Sequence, residues 1–394
     1  MKRLMRWLQL SGISLLAVLA VNGCKKVQPQ ETTTKTDVQV TSFVGSGGTL
    51  GAYIDGIGKL TAFNNITGIA IDAKGNVYVN DQNNFCIRKI TPAGVVSTFA
   101  GSGVNGYADG MGTAAQFSYL EGLAIDASDN LYVSDYGNNV IRKITPVGVV
   151  STYAGNGQRG FVDGPVATAQ FNLPMALAID KAGNMYIGDN GNVLIRKISA
   201  GGVVSTYAGI LNTPNFNPSP YSGPANGVSF GPIISGITLD ALGNVYVLDN
   251  YNGLIYKITP TGNAVTWAGD GVRAYGDFVP YRDGIGVTAE FNYPYGIASD
   301  AEGNIYIADT DNQRIRKITP DSEVTTLIGN GEFGEADGKI ADVKLSNPKV
   351  LVSNLNGDVI YFTERNRIRK LEYITTTTKP QNSWNNPQSW GNSH

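Results

Sequence analysis

The chain has 394 residues, a formal net charge of −2, only 16% charged residues, 49 glycines, two cysteines and one histidine. Lys and Arg recur once or twice per stretch and never form a continuous run, which argues against a nucleic-acid partner. After export processing, Cys86 would remain beside an N-terminal Cys24, so no intramolecular disulfide framework is available.

In chain order, MKRLMRW is a basic start, LQLSGISLLAVLAV is an apolar run, and Val21-Asn22-Gly23-Cys24 follows. The run is shorter than the ~20 apolar residues that span a bilayer, so residues 1–23 read as an export signal. The Cys placed immediately after it resembles a bacterial lipobox, which implies that Cys24 carries lipid. Asn22 departs from the small or β-hydroxy residue usual at its position. Lys25 lacks the Asp associated with inner-membrane retention, so the resemblance implies a cell-envelope protein anchored at the outer membrane. Residues 24–37 are polar and read as a tether, and 375–394, rich in Thr, Asn, Pro and Ser, as a disordered tail.

Between these ends one module repeats. GIAIDAKGNVYVND (68–81), GLAIDASDNLYVSD (122–135), ALAIDKAGNMYIGD (176–189), GITLDALGNVYVLD (236–249) and GIASDAEGNIYIAD (296–309) are copies, with a worn sixth, KVLVSNLNGDVIY, at 349–361. The anchor falls at Asp72, Asp126, Asp180, Asp240, Asp300 and Asn354, giving spacings of 54, 54, 60, 60 and 54. A fixed period of this size marks a repeat architecture. Each copy offers four short β segments separated by turn residues: in the second copy, Gly122–Asp126, Leu131–Ser134, Ile141–Thr145 and Val149–Gly155. Four antiparallel strands with no helical periodicity between them describe a β-propeller blade, whereas a solenoid of parallel strands needs a shorter repeat. The sixth module lacks a fourth strand, and Val38–Gly45 supplies the missing copy, so an all-β, six-bladed propeller is expected over 38–374, its last blade closed by the N-terminal strand.

The pattern GIAID-x-x-GNVYV-x-D-x-x-N-x-x-IRKI resembles the NHL repeat family of six-bladed propellers. Five copies match closely. The sixth departs, with Asn354 for the anchor Asp and Glu364 for the hairpin Asp.

Two acidic elements recur on one face: Asp81, Asp135, Asp189, Asp249 and Asp309 open hairpins, and Asp-Gly pairs begin at Asp55, Asp109, Asp163, Asp283 and Asp337. A carboxylate ring of this kind could hold a hard cation. However, Arg88, Arg142, Arg196 and Arg316 each follow a hairpin Asp by seven residues, which favours ion pairs within the blade. Phe63, Phe117, Phe171, Phe230, Phe291 and Leu345 read as packing plugs, and Cys86 as a half-buried strand residue.

Enzymes among propellers of related fold hold zinc through several histidines or gather carboxylates at the channel mouth. With His394 as the one histidine, His-based nucleophile systems and a multi-histidine zinc site are excluded. Only Glu121 stands just before an inner strand, with Thr67, Met175, Ser235, Tyr295 and Pro348 as its equivalents. No catalytic residue, metal or cofactor is therefore assigned. The reading is a lipid-anchored binding scaffold for an envelope protein, peptide or glycan. The alternative is a divalent-cation-dependent lactonase or hydrolase.

Two adjacent crossings are six residues longer than the rest. They carry Phe216, Tyr221, Arg273, Tyr275, Asp277, Phe278, Tyr281, Arg282, Tyr293 and Tyr295. Aromatic and Arg side chains anchor recognition surfaces, so this sector is the expected ligand site apart from Asp277, which sits among these anchors. Alternatively, its aromatics fold back as a lid on their own blades.

Overall fold

The computed structural model describes residues 33–47, 52–272 and 281–378. The chain divides into two units. Thr36–Ile374 forms one, and Met1–Lys35 with Thr375–His394 forms the other, whose described residues 33–35 and 375–378 are extended strand. Cys24 and the signal lie outside the described residues. No helix among the described residues is long and apolar enough to cross a membrane.

Thr36–Ile374 is a ring of six antiparallel sheets, blades I to VI. From the axis outward, blade I runs Ile66–Ile71, Val77–Asp81, Cys86–Ile90 and Val95–Ala100. Blades II to V repeat this order, with innermost strands Leu120–Ile125, Pro174–Ile179, Ile234–Leu239 and Gly296–Ser299. Blade VI takes Pro348–Ser353, Val359–Glu364 and Arg367–Thr378 from the C-terminal end, and Thr33–Val44 joins as its fourth strand. The N-terminal closure expected from the sequence is what forms the ring.

The expected count of four strands per blade needs a correction: every sheet has five. The extra strand is short and lies at the outer edge, as in Gly56–Ile57 against Val95 and Val96. In five blades it is made by the Asp-Gly pairs, and in blade IV by Ser222–Pro224. Gly56 has φ +148° and Gly338 +143°, values that L side chains rarely adopt, so glycine is what allows the chain to touch the edge there and leave again.

The anchor Asp is a turn staple. Asp126 accepts from the backbone N–H of Ser128 (2.8 Å) and Asn130 (2.9 Å), from the Asn130 amide (2.9 Å) and from the Tyr132 hydroxyl (3.3 Å). Asp72, Asp180, Asp240 and Asp300 repeat the set. An Asx side chain satisfying local N–H groups fixes a tight hairpin.

The plugs are buried, with Phe63, Phe117, Phe171, Phe230 and Leu345 at 0% exposure. Cys86 is also fully buried, not half-buried as its strand position suggested, because the Gly101 backbone packs directly against it. The module's leading glycine has a packing reason. A Cβ on Gly122 would lie 2.3 Å from the Met175 carbonyl oxygen, so adjacent inner strands meet only because that atom is missing.

Candidate functional site at the channel mouth

The hairpin acids serve the blade. In blade II the fully buried Arg142 meets Asp135 at 2.9 Å and Asp109 at 2.7 Å, and it accounts for both acidic elements at once. Its guanidinium also lies between Tyr107 (5.1 Å) and Phe117 (5.2 Å). Arg88, Arg196 and Arg316 form the same clamp with Asp81 and Asp55, Asp189 and Asp163, and Asp309 and Asp283. Blade VI substitutes Arg369 with Glu364 and Asp337, and Ser42 of the N-terminal strand bonds Asp337 as Thr98 bonds Asp55. Blade IV lacks the clamp sequence, with Tyr256 for the Arg and Ser222 for the outer Asp, since Gly223 pairs Ala264 as Gly56 pairs Val96.

What the same face leaves for chemistry lies at the axis. The inner strands carry a bulge at their first residues: Leu120 pairs Asp135, yet Leu123 pairs Val133, so Glu121 and Gly122 oppose one partner residue. Blades I, III and VI shift identically. A bulge turns a side chain out of the regular pleat, and here it places Thr67, Glu121, Met175 and Lys349 at the mouth, where Ser235 and Tyr295 complete the ring. The sixth equivalent of Glu121 is therefore Lys349, not Pro348. Pro348 pairs Glu364 as Leu120 pairs Asp135, and the worn last module hid that register.

Glu121 is held by Gln82, whose amide donates to Oε1 at 2.8 Å, and by the Tyr295 hydroxyl, which donates to Oε2 at 3.2 Å. Burial pushes its carboxyl above the ordinary range, against the pull of the Lys349 ammonium and these two donors. Burial likewise lowers Lys349, which Glu121 opposes, and raises Tyr295 well above a normal phenol, with Glu121 adding to the rise. Lys349 donates to the Asn65 side-chain oxygen at 3.0 Å and lies 4.8 Å from the Tyr295 ring centre. Hairpin residues bridge to the next inner strand and stiffen this mouth: Gln82 to the Leu120 carbonyl, Asn250 to Pro294 and Thr310 to Pro348.

Beside Tyr295 and Lys349 opens a pocket of about 560 Å³ between blades I, V and VI, walled by Asn64, Asn65, Asn83, Asn347, Asn366, Thr310 and Arg365. Asn65 and Asn347 sit just before inner strands with φ +63° and +51°, a left-handed geometry that Asn tolerates well. The sequence reading passed over Lys349, Gln82 and this wall. The signal for Lys349 was present as the only charged residue besides Glu121 at the bulge position.

The aromatic sector is spread out. Tyr221 packs on its own blade and donates to the Pro224 carbonyl at 2.6 Å. Tyr281 bonds Thr326 and lies under Arg314 (3.6 Å) and Arg316 (4.8 Å), the position Tyr53 and Tyr107 take in blades I and II. Arg282 pairs with Glu290 at 2.9 Å and lies 3.7 Å from Asp270. Phe216 and Tyr293 are exposed, at 54% and 40%, with Phe216 edge-on to Tyr251 at 5.5 Å. Tyr295 belongs to the mouth. Arg273, Tyr275, Asp277 and Phe278 lie outside the described residues. No cluster of three or more His, Cys, Asp or Glu able to hold a metal ion occurs among the described residues.

The NHL repeat family model matches residues 291–318, which run from plug Phe291 through the third strand of blade V. The propeller thus carries an NHL repeat in blade V. The NHL-repeat chain is similar to the Arabidopsis thaliana protein Suppressor of quenching 1, chloroplastic, at 28% identity over 342 residues, covering 79% of this chain and 31% of that relative. It spans less than half the length of the curated relatives it matches. Its fold is similar to that of an auxiliary nutrient binding protein from Bacteroides ovatus, with TM-score 0.62 and 17% identity over 86% of this chain and 78% of that one. A gluconolactonase from Xanthomonas campestris shares the fold at TM-score 0.51 and 11% identity, covering 88% of this chain and 99% of that one.

Proposed function

We propose that this NHL-repeat propeller is a lipid-anchored binding scaffold of a bacterial cell envelope, tethered through Cys24 at the outer membrane and taking a protein, peptide or glycan at its channel-mouth face. The observation that carries the reading is the pocket beside Tyr295 and Lys349, whose wall is built almost wholly of amide, hydroxyl and cationic groups. Convergent polar groups in a concavity are what a recognition site requires. Solved structures of similar fold described as auxiliary nutrient binding proteins support a binding role. Cys24 supports the anchor, because two or three acyl chains, at ~0.8 kcal/mol for each buried CH₂, hold a protein durably on a membrane.

The divalent-cation hydrolase is the weaker reading. Its chemistry needs several carboxylates around one ion, and the mouth ring supplies Glu121 alone, already engaged by Gln82 and Tyr295.

The test is a glycan array and an envelope-fraction capture with the full chain in detergent, beside radiolabelled palmitate incorporation in wild type and Cys24→Ser. Saturable retention that Tyr295→Ala weakens, with label lost in Cys24→Ser, supports the reading. Label retained in Cys24→Ser removes the anchor, and retention unaffected by Tyr295→Ala moves the site elsewhere.

A further inference from the structure

We infer that the pocket between blades I, V and VI is a subsite for a carboxylate-bearing saccharide, such as a uronic acid unit, with its carboxylate on Lys349 and Arg365 and its hydroxyls on the asparagine wall. This inference rests on the binding-scaffold reading and narrows it to one ligand class.

Three observations carry it. First, the pocket has two cationic side chains and no carboxylate in its wall. The acids nearby are each already paired: Glu121 takes Gln82 and Tyr295, Glu335 lies 3.1 Å from Arg367 and 3.6 Å from Arg365, and Asp311 takes the Asn347 amide at 3.5 Å. Secondly, the charge suits a monoanion. Arg365 is half exposed and shares its charge with Glu335, and Lys349 is drawn partly toward Glu121, so the two cations together suit one carboxylate and fall short of what a phosphate dianion would draw on. Lys349 is also fixed in place, donating to Asn65 at 3.0 Å over the Tyr295 ring, and an ammonium has three N–H donors, so others remain for a ligand oxygen.

Thirdly, the remaining wall matches hydroxyls better than a peptide. Asn64, Asn65, Asn83, Asn347 and Asn366 pair donor with acceptor on each side chain, as the hydroxyls of a sugar ring do. A peptide side chain would want an apolar recess, and the wall offers only the Tyr295 ring, a surface on which the C–H face of a sugar can lie.

The test is isothermal titration calorimetry of the full chain in detergent with three probes: trigalacturonic acid, neutral galactotriose and triglutamate. The acidic sugar should bind at least tenfold more tightly than the other two. Lys349→Met should weaken it at least tenfold. Arg365→Gln, half exposed and left with an unchanged melting temperature, should weaken it a few-fold and keeps the test valid should Lys349→Met fail to fold. Equal affinity for the two sugars, preference for triglutamate, or affinity unchanged in Arg365→Gln and Lys349→Met overturns the assignment. A chain that captures an envelope component yet ignores all three probes also overturns it while the scaffold reading stands; a chain that does neither overturns both.

Discussion

Tyr295 of blade V donates its hydroxyl to Glu121 of blade II at 3.2 Å, joining inner strands that face each other across the ring. The contact spans the mouth on the axis and leaves the pocket off to one side.

That contact has a consequence in pH. The folded Glu121 carboxyl lies above its ordinary value because burial outweighs Lys349, Gln82 and Tyr295. An acid with a raised folded pKa contributes stability that is full below the unfolded value and is lost as pH rises through the folded one. Glu121→Gln removes this titration. Thermal melts of both proteins from pH 4 to pH 7 should show the wild type losing ground to Glu121→Gln as pH rises. A constant difference between the two melting curves contradicts it.

The Arg clamps predict an asymmetric pair of variants. Arg142 and Asp135 are both fully buried, whereas Asp109 is about half exposed. Arg142→Met strands a buried carboxylate and should cost about 3–5 kcal/mol by urea unfolding. Asp109→Asn should cost about 1 kcal/mol or less, since an exposed partner is screened by solvent. Similar costs for the two would show that the clamp is not the source of the stability.

Much of this was legible in the sequence for a definite reason. A turn staple such as Asp126 and a clamp such as Arg142 need fixed spacings, so they repeat visibly, and the N-terminal strand announces itself by copying Val149–Gly155. The mouth is harder to read because its six positions carry six different residues. Lys349 was hidden further by a bulge, which shifts the pairing by one residue and has no sequence signature of its own. Tyr281 drew attention as part of a swollen sector, although it occupies the repeating edge position of Tyr53 and Tyr107, two residues before the Asp of an Asp-Gly pair and with its hydroxyl on a fourth-strand Thr.

Gly122 tests the packing of the ring itself. Its missing Cβ would lie 2.3 Å from Met175 O and 3.0 Å from the Leu177 Cβ. Gly122→Val should destabilise by about 1–3 kcal/mol or more, the usual cost of overpacking. It should also disturb the neighbouring Glu121. Wild-type stability in this variant would mean that the inner strands are further apart than described.

The central claim is that recognition takes place on the channel-mouth face, and site-specific photo-crosslinking tests it most directly. A photoreactive residue is placed at Asn83 in the pocket wall, and separately at Leu242 and Leu355 on the opposite face, both 81% exposed. With the full chain in the cells that produce it, adducts should form from Asn83 and not from Leu242 or Leu355. Adducts confined to Leu242 and Leu355 would contradict the account.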